Sequence, residues 1–169
     1  MPRVLPIQIP PIVTYQYLAY PLSIIMSHNN LRNWYYNNYI QLCCANDKYS
    51  YDIMNFTFAN STFNYIDAFN YKMIDRYDNK MDIANYIVEQ LYMNKYIYMI
   101  LDEYYIQKTK VKRHFLHDIL FVGYDENDKI LNSIRYIEGT LGQFDVGIHM
   151  INDAFYSVKL KNDSKLDSY

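Results

Sequence analysis

The chain has 169 residues, which suits one domain with its own hydrophobic core. Hydrophobic residues make up 51% of it, and this excludes an intrinsically disordered chain. The net charge of −2 gives no electrostatic footprint for nucleic acid, and no apolar stretch approaches the roughly 20 residues needed to span a bilayer. Neither nucleic acid nor a membrane is therefore expected as a partner.

The first thirteen residues hold four of the five prolines. Proline fixes φ and lacks a backbone donor, so residues 1–13 are predicted to form an extended arm. So many prolines are also unlike the apolar core of a secretory signal. A cytoplasmic location is the default expectation.

Two helices are predicted next. The first runs from about Tyr15 to His28, with Pro21 inside it or in its first turn, and the second covers Leu31 to Ala45. Beyond a turn, alternating residues place Met54, Phe56 and Phe58 on one face of a strand.

A third helix is predicted to begin after Asp82, whose side chain suits an N-cap. Its apolar face contains Ile83, Ile87 and Leu91. The nearly continuous apolar run from Tyr96 to Asp102 is typical of a buried central strand, and a polar loop is expected from Glu103 to Arg113.

Two further strands, Phe115 to Tyr124 and Ile130 to Ile137, flank a polar turn and predict a β-hairpin. Gly139 and Gly142 bracket a second turn, and Asp145 is predicted to cap a last helix that ends at Val158. Residues 14–160 are thus expected to form one α+β domain with helices on a mostly antiparallel sheet, followed by a polar tail over 161–169.

His117 is the sharpest candidate for chemistry, because a rigid strand would hold its ring as a general base requires. The alternative is a half-buried structural histidine, which composition alone favours. Asp118 points to the opposite face of the strand, so Asn132 and Ser133 across the hairpin are better placed to hold the ring. A regular strand would also turn His114 away from His117.

Cys43 and Cys44 are the two cysteines of the chain. Adjacent cysteines rarely bond to each other, because a disulfide needs a particular separation and dihedral. Cys43 lies 74 residues before His117, a workable separation for a thiol nucleophile and its base. Both cysteines fall near the end of a predicted helix, where the dipole opposes a thiolate, and this favours a structural role.

No histidine or cysteine spacing suits a metal site, and four glycines leave little room for a phosphate-binding loop. No metal or cofactor is therefore expected. The densest basic run, Lys108 to Arg113, contains four cations. It is interpreted as a solvated loop, with a weak site for an acidic partner such as a carrier protein as the alternative.

The segments Tyr96–Tyr105 and His117–Asp125 resemble the domain at the N-terminus of butirosin biosynthesis protein H and its relatives. Ala19–Ile24 and Trp34–Leu42 are similar to the first two helices of that family. The resemblance spans roughly residues 14 to 137 and implies a papain-like fold. It also implies a place in bacterial natural-product biosynthesis, beside carrier proteins or nonribosomal peptide synthetases.

Within this resemblance His117 matches the catalytic histidine of the family. The family nucleophile is expected around Tyr17 to Tyr20, where this chain has no cysteine, and its acid near Ser133 or Ile134, where this chain has no Asp. The resemblance therefore implies a noncatalytic relative that binds a carrier protein or synthetase.

Two alternatives stay open. One is a cysteine-dependent acyltransferase, in which Cys43 or Cys44 attacks a carrier-bound thioester, His117 acts as base and Asn132 orients it. The other is one half of a split enzyme that a second protein completes. The oligomeric state is left open.

Overall fold

The computed structural model describes residues 2–13, 16–39, 42–44, 54–56, 81–106 and 113–157; for 38–39, 42–44, 54–56 and Tyr17 it describes the backbone only. The chain divides into two compact units, Pro6–Met73 and a second one built from Met1–Leu5 and Ile74–Tyr169. Phe58 and the predicted tail over 161–169 lie outside the described residues. No helix among the described residues is both long and apolar enough to cross a membrane.

The unit Pro6–Met73 begins with helix α1, Gln16–Ser27, which contains Pro21 and confirms the first predicted helix. Buried side chains of α1 pack with Tyr35, which follows the helix. Together they form a small apolar cluster of Leu18, Leu22, Ile25, Met26 and Tyr35. The chain before α1 is held to it by a hydrogen bond from the N–H of Gln8 to the carbonyl of Ser23, 3.1 Å.

The second helix is shorter than predicted. Helix α2 covers Asn29–Trp34 and runs into a π-helical turn at Tyr35–Tyr39. Strand β2, Leu42–Cys44, then pairs antiparallel with strand β3, Met54–Phe56, so the predicted strand is confirmed at those residues. The prediction of a helix over Leu31 to Ala45 was wrong for the residues that form β2. Tyr and Asn have only modest helix propensity, and strand pairing outweighs that propensity.

The other unit contains an antiparallel sheet. Its strands are β1 Arg3–Val4, β4 Ile97–Asp102, β5 Leu116–Asp125, β6 Ile130–Ile137 and β7 Thr140–Gly147. Strand β5 pairs with β6 along one side, and with β4 and then β1 along the other. The predicted hairpin and the α+β class with an antiparallel sheet are confirmed, and β1 lies within the segment predicted as an extended arm.

Strand β4 differs from its prediction as a buried central strand. Tyr98 and Ile100 are 46% and 39% exposed, whereas Met99 and Leu101 between them are buried. Among the described strands β4 pairs with β5 alone. The predicted polar loop that follows begins instead with a helical turn, α4 Glu103–Ile106, whose first residue is buried.

One face of this sheet is covered by α3, Ile83–Tyr92, and α5, Ile151–Tyr156. The side chain of Asp82 accepts a hydrogen bond from the N–H of Asn85, so the predicted N-cap is confirmed. The main apolar core lies between helices and sheet and includes Ile83, Ile87, Leu91, Leu101, Ile119, Phe121, Leu131, Ile151 and Phe155.

Asp145 does not cap the last helix, so that prediction was wrong. It lies in β7 opposite Asn132, whose amide donates to its carboxylate at 2.9 Å. The helical segment begins later, with a 3₁₀ turn at Ile148–Met150. Gly142 is also a β7 residue, and the predicted turn is made by Glu138 and Gly139, both with positive φ.

Candidate functional site

Two consecutive acidic residues lie where β4 passes into α4. Asp102 ends the strand and Glu103 begins the helical turn. Both are buried, with 0% and 3% of their surface exposed. Because the backbone changes from strand to helix between them, the two carboxylates reach different neighbours, and each one contacts a histidine from the start of β5 or just before it.

Asp102 holds His114. The Nδ1 atom of His114 lies 2.6 Å from Oδ2 of Asp102. The other carboxylate oxygen accepts the backbone N–H groups of Tyr104 and Phe115, each at 3.1 Å. The hydroxyl of Ser157, just after α5, donates to Oδ2 at 3.3 Å. The carboxylate is therefore fixed from three parts of the chain.

The His114 ring itself is 45% exposed, in contrast to the 1% exposure of the carboxylate that holds it. It lies against the ring of Tyr104, with centroids 4.5 Å apart, and near Tyr105 at 5.9 Å. Its orientation is thus set by one hydrogen bond and by aromatic contacts.

Burial is the largest influence on the Asp102 carboxyl, and it acts to raise the pKa. The hydrogen bonds from His114 and from the backbone N–H groups of Tyr104 and Phe115, together with the charge of His114, outweigh it and hold the pKa of Asp102 below its ordinary value. Asp102 is therefore ionised at neutral pH.

Glu103 binds a guanidinium and lies beside the second histidine. Its Oε2 accepts a hydrogen bond from Nη1 of Arg135 on β6 at 2.9 Å. Its Oε1 lies 3.4 Å from Nδ1 of His117. The side chains of Glu103, Arg135 and His117 are 4%, 5% and 13% exposed, so the three form a buried polar cluster.

His117 lies on β5 opposite Leu101, on the sheet face that carries the main core. The prediction that a hairpin strand carries it is confirmed. Asp118 lies on the other face, as expected, and accepts the hydroxyl of Tyr98 at 2.7 Å.

Asn132 does not hold the His117 ring. It lies opposite Gly123, six residues further along β5, which corresponds to about 20 Å. Its amide donates to Asp145, and the Ser133 hydroxyl donates to the carbonyl of Phe144 at 2.8 Å. The prediction that Asn132 or Ser133 orients the ring was wrong because the β5–β6 register places them too far along the strand.

Cys43 and Cys44 lie on β2 in the unit Pro6–Met73. They are strand residues and do not lie at the end of a helix, so that prediction was wrong. Their pairing with His117 stays a prediction.

The described residues also enclose a shallow pocket of about 290 Å³ on the sheet, lined by Val4, Val122, Asn132, Ser133, Gln143, Phe144 and Asp145. Neither His114 nor His117 lines it. No group of three or more His, Cys, Asp or Glu in the described part of the chain is placed to hold a metal ion.

Sequence reasoning missed Asp102, Glu103, His114 and Arg135. A usable signal was present: an Asp–Glu pair stands at the end of an apolar strand, and a His-x-x-His pattern leads into the next strand. If the two strands pair antiparallel, as they do, the acids at the end of one meet the histidines at the start of the other.

Comparison of the chain with protein-family models, with curated proteins and with solved structures found no match.

Proposed function

We propose that this chain is a binding module without papain-type thiol catalysis, a degenerate papain-fold relative in bacterial natural-product biosynthesis that binds a carrier protein or a nonribosomal peptide synthetase. The observation that supports this most directly is the burial of His117 with Glu103 and Arg135. A histidine in such a cluster stabilises the fold. This is the structural role that the sequence offered as the alternative for His117.

The charges of the cluster agree with a structural role. The guanidinium of Arg135 already compensates the carboxylate of Glu103 at 2.9 Å. Only 13% of the His117 side chain is exposed, which leaves a substrate little access to its ring.

A binding role has aromatic side chains available near the acidic pair. Tyr104 and Phe115 are 41% and 49% exposed. Exposed aromatic residues are frequent anchors of protein interfaces. In sequence they flank the run Lys108 to Arg113, whose four cations suit an acidic partner. An acidic carrier protein is therefore the partner to which the proposal commits.

The binding proposal is tested by titrating carrier proteins encoded beside this gene against the immobilised chain. Replacing Lys108, Lys110 and Lys112 with Gln should weaken binding at least about tenfold and reduce its salt dependence. Replacing Lys129, an exposed lysine of the hairpin turn, with Gln is the matched control and should leave binding unchanged. No binding at micromolar concentration would contradict the proposal.

The second candidate is the cysteine-dependent acyltransferase. The observation in its favour is the contact between the Glu103 carboxylate and Nδ1 of His117, because an acid beside the imidazole is part of thiol-enzyme sites. Labelling with iodoacetamide should then be fast at Cys43 or Cys44 and slow in His117→Ala. Equally slow labelling of both proteins would count against a thiol nucleophile.

A further inference from the structure

We propose that Asp102 and His114 form a proton-transfer site that hydrolyses acyl esters or thioesters, with His114 as the general base. The pair of Asp102 and His114 is distinct from the contact between Glu103 and His117. Tyr104, which packs on His114, also belongs to the binding surface proposed above.

The first support is the fixed state of the His114 ring. An ionised carboxylate accepts hydrogen bonds only, so the 2.6 Å contact with Asp102 requires Nδ1 of His114 to carry the proton. The neutral ring then has its lone pair on Nε2, the atom that takes a proton in general-base catalysis. Asp102 is itself held by two backbone N–H groups and by Ser157, so it cannot easily turn away.

The second support is the contrast in exposure. The carboxylate is 1% exposed and the imidazole 45%. A buried acid behind a half-exposed histidine stabilises the imidazolium that forms when the ring accepts a proton, while substrate and water can still reach the ring. The described residues give Nε2 no hydrogen-bond partner.

The third support is the aromatic surroundings. Tyr104, which is 41% exposed, packs on the imidazole with ring centroids 4.5 Å apart, and Tyr105 lies near it at 5.9 Å. These side chains offer an apolar surface for the hydrocarbon part of an acyl group, whose carbonyl would lie near Nε2. This favours medium-length acyl substrates over acetyl ones.

The reaction balances without any cofactor. Nε2 of His114 takes a proton from water as the water oxygen attacks the carbonyl carbon of the ester or thioester. The tetrahedral intermediate then collapses, the bond from carbon to the leaving oxygen or sulfur breaks, and His114 returns its proton to that leaving group. The products are a carboxylic acid and an alcohol or thiol.

The test uses the full chain with p-nitrophenyl hexanoate and, for thioesters, S-hexanoyl-N-acetylcysteamine. The expected rate exceeds that of the same concentration of 4-methylimidazole by at least about tenfold, and His114→Gln should remove this excess. Hydrolysis of only one of the two probes would identify the leaving group that the site accepts. His149→Gln changes an exposed histidine elsewhere and should leave the rate unchanged.

Asp102→Asn tests the positioning role. It should lower kcat with little change in KM, because the ring would lose the partner that fixes its tautomer. Should either variant fail to fold by circular dichroism, diethyl pyrocarbonate modification of the parent chain takes its place. Loss of hydrolysis should then parallel carbethoxylation of His114 and not of His149. A parent rate no higher than that of 4-methylimidazole, or an undiminished rate in folded His114→Gln, would overturn the proposal.

Discussion

Asp102 illustrates how a single buried group can make stability depend on pH. Its hydrogen bonds hold its pKa in the folded state below the unfolded value, which is about 3.9. The folded state therefore binds fewer protons than the unfolded state as pH falls. Its contribution to stability is complete above the unfolded pKa and is lost as pH falls through the folded pKa.

We expect Asp102→Asn to lower the free energy of unfolding at pH 6 by about 1–3 kcal/mol, because a charged acceptor of buried donors is replaced by a neutral one. The difference from the parent chain should shrink as pH falls from 5 towards 2. Urea unfolding across this range measures it, with Asp128→Asn in the exposed turn as control. A difference that stays constant with pH would contradict the assignment.

The pair of Glu103 and Arg135 makes a different prediction, because both partners are charged and buried. Arg135→Met should destabilise the fold by about 3–5 kcal/mol, since it leaves the Glu103 carboxylate buried without its guanidinium. Adding Glu103→Gln should recover part of that loss. Thermal unfolding of the two single variants and the double variant measures the coupling, and Arg113→Met provides an exposed control.

If the double variant is as unstable as the sum of the single variants, the carboxylate and the guanidinium are not coupled in solution.

The roles of individual residues could be predicted only where a regular strand determines which way the side chain points. The sequence correctly placed His117 on a hairpin strand. A regular strand over both histidines would turn His114 away from His117, whereas β5 begins at Leu116 and leaves His114 outside the strand. A residue just outside a strand does not follow its alternation, and this freed His114 to turn towards Asp102.

At the scale of the element, the start of α3 shows a cap shared between two helices. Oδ1 of Asp82 accepts the N–H of Asn85 at 3.1 Å and the amide of Asn152, on α5, at 3.0 Å. The side-chain oxygen of Asn152 accepts the N–H of Ala84 at 3.2 Å. The hydrogen bond from Asn152 is the largest cause of the lowered pKa of Asp82.

We expect Asp82→Ala to lower the free energy of unfolding by about 1–2 kcal/mol, because two N–H groups of the first turn depend on this arrangement. Asn152→Ala should cost a similar amount, and the double variant less than the sum, because the two side chains share one network. Urea unfolding measures all three. Asp153→Ala, at the exposed neighbouring position, should change stability by less than about 0.5 kcal/mol. Additive losses would contradict a shared cap.

Helices and strands could be predicted where the local sequence pattern indicated one structure and no competing one. Asp82 before an apolar period of four is such a signal, and so is the polar turn between the two apolar strands of the hairpin. Asp145 failed as a cap because the same side chain also suits the exposed face of a strand, where Asn132 binds it. Cys43 and Cys44 were placed on a helix because pairing with β3 depends on contacts between residues distant in sequence.

At the scale of the whole molecule, the unit that carries His114 and His117 is assembled from two separate stretches of chain. Residues Arg3–Val4 pair with Gly123–Tyr124 and complete one side of β5 beyond the end of β4. The N–H of Leu5 donates to the carbonyl of Val122 at 2.8 Å, and the Leu5 side chain is 6% exposed within the main core. Nothing in the proline-rich composition of the first thirteen residues indicated this strand, because two residues are too few to show a period.

This joining of distant segments gives a prediction for the unit as a whole. Removing the residues before Pro6 should lower its free energy of unfolding by about 2–3 kcal/mol, mainly through loss of the buried Leu5 side chain. Gly123→Ala should have a related effect, because a Cβ there would lie 2.6 Å from the carbonyl oxygen of Arg3 and 2.9 Å from Cα of Val4, so the backbone of β1 would have to shift.

If both changes act by displacing β1, a chain that carries both should be no less stable than the less stable of the two single variants. Urea unfolding measures this, and hydrogen exchange at the Leu5 amide shows whether Gly123→Ala displaces β1. Gly142→Ala is the matched control, because its Cβ would meet only ring atoms of Phe144, a side chain that can shift. Additive losses, or a Leu5 amide that stays protected in Gly123→Ala, would mean that β1 is not what the glycine accommodates.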